Sequence, residues 1–200
     1  MCAFAAFRRS LPLLCPVFLL ILISGCASQT VAPGREWVRP VYREQIAEWQ
    51  ARIEREGWSE NEVHLVLSDF RDLVTYQAGD RLHWDTPSEF RAKGFSGDCK
   101  GITTFMMGTL KLLGYPYRVR ILVVHGLLEE HALLKVEAPE GGWKIYDVVP
   151  RTVVVEKRMN LLRPVVEFDE KNAYWYPSKI SAWVRASVQS FAFVPDRGMP

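Results

Sequence analysis

The fold is decided by the stretch Gly97-Asp98-Cys99-Lys100-Gly101-Ile102-Thr103-Thr104-Phe105-Met106-Met107-Gly108-Thr109-Leu110-Lys111-Leu112-Leu113-Gly114-Tyr115-Pro116. Lys100 to Leu113 has a helical pattern. Gly114 is placed to end that helix, and Pro116 follows as a residue that cannot continue it. Cys99 then stands in the first turn. A helix N-terminus carries free N–H groups and a partial positive charge, both of which stabilise a thiolate. The same N–H groups can serve as one arm of an oxyanion hole. The glycines around Cys99 leave room for a substrate carbonyl to approach.

Downstream the hydrophobic period changes. Arg118 to Val124, Ala132 to Ala138 and Lys144 to Val148 are short β-branched and aliphatic runs separated by Gly and Pro turns, and Thr152 to Glu156 fits a fourth strand. His131 opens the second run and Asp147 closes the third. The turn Pro139-Glu140-Gly141-Gly142 makes these two runs a hairpin, which sets His131 and Asp147 side by side. A nucleophilic thiol needs a base, and the base needs an orienting partner. His131 facing Cys99, with Asp147 behind it, supplies that order. Singly, a His at a strand start or an Asp before Pro150 is an ordinary structural residue; the combination carries the signal. His125 is the rival base, disfavoured because Asp147 reaches His131 through the hairpin. His64 and His83 are expected to be surface or packing residues.

Upstream, Tyr42 to Glu56 places Ile46, Trp49 and Ile53 three and four apart, as an amphipathic helix ending near Gly57 does. Ser59-Glu60-Asn61-Glu62 fits a capping box. The helix it opens carries Val63, Val66, Leu67, Phe70 and Val74 on one face. Residues 77–98, with three Gly, one Pro and many polar groups, are expected to form a loop. Beyond the strands, a helix is expected from Ser178, and the cluster Tyr174-Trp175-Tyr176 fits core packing. Helices first and a meander afterwards predict an α+β fold, an antiparallel sheet packed on the helix bearing Cys99.

The N-terminal segment is an address. Arg8 and Arg9 precede the apolar run Leu11 to Ile23, which is followed by Ser24-Gly25-Cys26. This is the order of a signal peptide, too short to cross a bilayer comfortably. Ile23-Ser24-Gly25-Cys26 resembles a bacterial lipobox, which implies acylation of Cys26. Ala27 after it, by resemblance to bacterial sorting rules, favours the outer membrane. The expected division is a signal peptide over 1–25, a polar tether over 26–40 and one domain over 41–200. Processing removes Cys2 and Cys15 and lipidates Cys26, which leaves Cys99 as the free thiol. Of 25 basic residues two lie in the signal, so the remainder balances 23 against 23 acidic groups, and no nucleic-acid partner is expected.

Gly97-Asp98-Cys99 opening a helix that ends Leu112-Leu113-Gly114-Tyr115-Pro116, then His131-Ala132 leading a strand, Trp143, and a strand ending in Asp147, resembles the transglutaminase core. The segment Trp84-Asp85-Thr86-Pro87-Ser88-Glu89-Phe90 is similar to the one preceding Gly-Asp-Cys in bacterial transglutaminase-like cysteine peptidases. The likeness spans roughly residues 80 to 150. It implies a papain-like fold with Cys99 as nucleophile, His131 as general base and acid, and Asp147 as orienting residue. Trp84 and Trp58 are candidates for the side-chain arm of the oxyanion hole, Trp84 first. The peptidase branch carries an acidic residue straight after the Cys, which with the preceding Asp contributes to a calcium site. Here Lys100 stands there, so no metal and no other cofactor is expected. The expected activity is hydrolysis of a peptide or amide bond in an envelope substrate. Amide transfer by the same acyl-enzyme, and a non-catalytic binding or assembly module, are the alternatives.

Overall fold

The computed structural model describes residues 38–80, 82–125, 130–149, 153–155, 162–177 and residue 188. The signal segment, Cys26, most of the tether and the helix expected from Ser178 lie outside the described residues.

Helix α1 spans Val38–Glu56. It begins earlier than the tether boundary at Pro40 predicts. Pro40 falls in its first turn, where no intrahelical N–H bond is lost. Trp49 is buried, and its indole N–H donates to Asp69 Oδ2 at 3.0 Å, which ties α1 to helix α2 over Glu60–Arg71. Ser59 caps α2 by accepting from the Glu62 N–H at 3.3 Å. Val63, Val66, Leu67 and Phe70 form its buried face. Val74 is buried as well, just past the helix end.

The segment 77–98 is not only a loop. Helix α3 spans Pro87–Ala92 within it. Two short strands flank it, β1 over Thr75–Tyr76 and β2 over Ser96–Gly97, and they pair in parallel. A full capping box opens α3: the Glu89 N–H donates to Thr86 Oγ1 at 3.2 Å, and the Thr86 N–H to Glu89 Oε2 at 2.8 Å. The capping signature was present in Thr86-Pro87-Ser88-Glu89, but a six-residue helix is too short to show a period.

Helix α4, Cys99–Leu112, is the centre of the molecule, and Gly101 to Leu110 are all buried. A helix buried on every side must satisfy its own polar groups. Accordingly the Thr104 and Thr109 hydroxyls donate back to Lys100 O at 2.9 Å and Phe105 O at 3.0 Å. Gly114, at φ +75°, turns the chain out of the helix. Gly108 lets α3 approach: a Cβ there would lie 2.8 Å from the Pro87 ring.

Six strands form the main sheet: β3 Val119–His125, β4 Glu130–Glu137, β5 Trp143–Asp147, β6 Val154–Val155, β7 Arg163–Phe168 and β8 Ala173–Trp175. Their order is β6-β5-β4-β3-β7-β8, with every pairing antiparallel. The α+β expectation and the strand–turn–strand unit therefore hold. Within the predicted run Thr152 to Glu156, β6 covers Val154–Val155 and Val153 precedes it; Thr152 and Glu156 lie outside the described residues. β7 and β8 were not foreseen, yet they complete the sheet on the far side of β3. Pro164 near the start of β7 and the charged Glu167 inside it mask the strand pattern. Pro164 faces an irregularity between Val123 and Val124, where a missing N–H is tolerated. Glu167 is buried but paired with Arg120 at 2.6 Å, Lys135, and the Tyr176 hydroxyl at 3.0 Å. Of the aromatic cluster, Trp175 packs on the core, while Tyr174 is exposed beneath the Arg120 guanidinium.

One side chain fixes α4 to the sheet near its active end. The buried Thr103 hydroxyl donates to Ala132 O at 3.2 Å. Ala132 follows His131, so the contact sets the height of β4 against the first turn of α4.

Candidate active site

Asp98 decides where Cys99 sits. Its carboxylate caps α4, with Oδ1 accepting from the Lys100 N–H at 3.0 Å and the Gly101 N–H at 3.1 Å. Its backbone carbonyl accepts from Ile102 at 3.0 Å. Cys99 is thereby the first helical residue, half-buried, and the only free cysteine among the described residues. The cap also revises the oxyanion expectation. Two of the first-turn N–H groups belong to Asp98, which leaves that of Cys99 itself as the one without a partner among the described hydrogen bonds.

His131 lies on β4, opposite Val124 of β3. Its Nε2 stands 3.0 Å from Asp147 Oδ2, and Cys99 acts on the same ring, raising its pKa. With Nε2 turned to the carboxylate, Nδ1 is the nitrogen left for the thiol. The β4–β5 register pairs Leu134 with Tyr146, so Asp147 reaches His131 diagonally across the ladder rather than from directly opposite. Both side chains remain partly open, at 31% and 24% exposure, which leaves the pair accessible to a substrate.

Burial disfavours a charged imidazole here. The hydrogen bonds to Asp147 and Cys99 and the negative charge of both outweigh it, and the His131 pKa is pushed up to about 10. The charged form of the imidazole is therefore the favoured one at neutral pH.

Asp147 is itself held. Its Oδ1 accepts from the Val149 N–H at 3.1 Å. The Val149 carbonyl in turn accepts from the Arg71 guanidinium at 2.7 Å, and a second Arg71 nitrogen donates to Val74 O at 3.3 Å. Burial lowers the Arg71 pKa, while the charges of Asp72 and Asp147 act the other way. Nothing in the sequence marks Arg71. It is the basic residue in the last turn of a helix, a common placement with its own electrostatic reason.

The other candidates disperse. Trp58 meets Tyr115 edge-on at 4.8 Å, just past the C-terminal end of α4, about 20 Å from its start by helix length, so it is not at the thiol. Trp84 is buried edge-on against Phe168 at 5.1 Å. Its neighbour Asp85 lies against the first turn of α4: a Cβ on Gly101 would meet Asp85 Oδ2 at 3.1 Å. His125 faces Glu130 at 3.5 Å in the last pair of the β3–β4 ladder. His64 lies near Tyr146, with ring centroids 6.3 Å apart. His83 joins Asp85 and Glu89 in a group whose ligand atoms all lie within 4.8 Å of one another. Those carboxylates already serve Lys93, at 2.5 Å, and the Thr86 cap, so the group is accounted for by local ion pairing.

No family model matches the chain, and no curated protein matches it by sequence. Solved structures do. LapG from Legionella pneumophila, in its EGTA-treated form, is similar over 78% of this chain and 94% of its own, at 18% identity and a TM-score of 0.53. The calcium-bound form of LapG gives 19% identity over 78% of this chain and 98% of its own, with a TM-score of 0.52. At this identity the likeness establishes the fold.

Proposed function

The chain has a transglutaminase-like fold, and from that premise we propose that it is a cell-envelope thiol hydrolase that cleaves a peptide or amide bond through an acyl-enzyme on Cys99. The single observation behind the proposal is His131 Nε2 at 3.0 Å from Asp147 Oδ2, on an imidazole whose pKa Cys99 also raises.

The roles follow from the geometry. The Cys99 thiol gives its proton to His131, and the thiolate attacks the substrate carbonyl. Negative charge collects on the carbonyl oxygen, where the Cys99 N–H and the positive end of α4 meet it, with Trp84 as the candidate side-chain donor. Collapse breaks the C–N bond. The leaving amine takes the proton from His131, and the acyl group stays on sulfur as a thioester. Water then gives a proton to His131 and attacks the thioester. The acid product leaves, and the proton returns to sulfur. Asp147 fixes the imidazole throughout and balances its charge. The substrate is a peptide or protein, and the enzyme is held at the envelope by a lipid on Cys26. Hydrolysis is the simplest outcome because the partly open site admits water.

The calcium named with LapG is a question for this chain too. Calcium takes six to eight oxygen ligands, several of them carboxylate. Among the described residues, the carboxylates at the start of α4 are Asp98 and Asp85, and both are engaged: Asp98 Oδ1 by two N–H groups and Oδ2 by the Lys100 ammonium, Asp85 Oδ1 by the Lys93 ammonium at 2.5 Å. The residues do not fit a calcium site there, and no step above uses one.

The test is Cys99→Ala in the mature protein, with cleavage of envelope proteins followed by gel and mass spectrometry. Cleavage is expected to stop while the circular dichroism spectrum and melting stay as in the wild type. Cleavage that persists in this variant would sink the proposal.

A further inference from the structure

We propose that Lys100 stands in for a bound cation: its ammonium is the fixed positive charge that neutralises Asp98 and locks the start of α4 to the neighbouring segment, so that Cys99 is held in place without a divalent metal.

Four observations carry this. The Lys100 ammonium contacts Asp98 Oδ2, and both side chains are largely enclosed, at 12% and 13% exposure. Gly79 closes in on the same carboxylate oxygen: a Cβ there would lie 2.8 Å from Oδ2. That segment is hydrogen-bonded to the strand leading into α4, with the Gln77 N–H donating to Gly97 O at 2.8 Å. Lys100 is also the second residue of α4, where the helix dipole disfavours a cation and burial adds a desolvation cost. A lysine held there against both penalties is explained by the carboxylate it neutralises. The backbone between the two residues is already fixed by the cap, so closing the pair orders little more than one side chain. A dication at Asp98 would have to expel this ammonium. A carboxylate left alone in the same enclosure would carry an uncompensated charge.

The proposal rests on the active-site reading only for its consequence at Cys99; melting reads it independently. The experiment compares thermal midpoints of the mature protein in millimolar calcium and in EGTA, for the wild type, Lys100→Arg and Lys100→Met. The wild type is expected to melt at the same temperature in both solutions. Lys100→Met is expected to melt lower by about 3 °C or more, and Lys100→Arg to stay near the wild type. Cys99 alkylation by iodoacetamide at pH 7 should slow in Lys100→Met and not in Lys100→Arg. A wild-type midpoint raised by calcium would overturn the proposal, because ligand bound to the native state must stabilise it. A Lys100→Met protein that melts and alkylates like the wild type would overturn it as well. If Lys100→Met does not fold, the wild-type comparison and Lys100→Arg still decide. A wild type that ignores calcium but cleaves nothing leaves this proposal standing and removes only the hydrolase.

Discussion

His131 is pulled in two directions, and the balance makes it measurable. Burial favours the neutral ring; Asp147 and Cys99 favour the imidazolium and win, so its pKa lies at about 10 against 6.5 for the free side chain. The linkage sign follows. Below about pH 6.5 the ring is charged in both folded and unfolded chains, and the native pairing contributes in full. Between about 6.5 and 10 the folded chain holds a proton that the unfolded chain has released, so this contribution declines as pH rises and is lost through about 10. Urea unfolding of the wild type and His131→Gln should therefore show a stability gap that is largest near pH 6 and shrinks towards pH 10. A gap that widens with pH would mean that the imidazole is neutral in the native state. The same charge should appear in reactivity: His131→Gln is expected to slow iodoacetamide alkylation of Cys99 at pH 7 by about tenfold or more.

Two elements that never pair in a sheet meet at Arg71. It sits in the last turn of α2, and its two hydrogen bonds reach Val74 O and Val149 O, the second just beyond the end of β5. Val149 in turn donates to Asp147. The chain Arg71–Val149–Asp147–His131 thus joins a helix on one flank to the imidazole. Hydrogen bonds from a charged donor contribute about 1.5–3 kcal/mol where they are shielded, and Arg71 is only half-buried, so about 1–2 kcal/mol is expected to be lost in Arg71→Met. Catalysis should fall further than stability alone predicts. A small misplacement of a positioned group costs orders of magnitude in rate, so kcat is expected to drop about tenfold or more with KM little changed. Arg71→Lys keeps the charge but not the two-pronged reach, and should recover only part. Equal kcat in wild type and Arg71→Met would limit Arg71 to a structural role. The same scale explains α4. Its close approach to α3 is made by Gly108 against Pro87, and the height of β4 against it by Thr103 and Ala132.

At the scale of the whole molecule, the site is assembled from parts about 30 and about 50 residues apart in the chain, on three elements around one core. That core runs from Tyr42 of α1 through α4 to Phe168 of β7. All of the described residues fall within one compact unit, Val31–Pro200. Among them, no helix is long and apolar enough to cross a membrane. The attachment proposed above, a lipid on Cys26, is tested separately. One acyl group holds a protein only reversibly, whereas a multiply acylated cysteine holds it firmly. In a bacterial host, labelled palmitate is expected in the wild type and absent from Cys26→Ser, which should leave the membrane pellet. A wild type without label would remove the lipid anchor and leave the site chemistry untouched.

Much of this was legible in the sequence, because local rules governed it. The span of α4, its Gly114 stop, the hairpin between β4 and β5, and the sequence order Cys99, His131, Asp147 all rest on capping, turn chemistry and periodicity. Those act over a few residues and need no knowledge of the fold. The tertiary structure decided what depends on partners distant in the chain. β7 became a strand despite Pro164 and Glu167, because β3 offered an edge with a matching irregularity and Arg120 and Lys135 a matching charge. α3 emerged from a loop-like segment because α4 presented Gly108 to its first residue. Lys100 read only as a departure from a pattern until its ammonium was seen on Asp98, and Arg71 carried no signal at all. A sequence states each side chain's chemistry and its local period. Which buried carboxylate or carbonyl it will meet is settled only when burial removes water as the alternative partner.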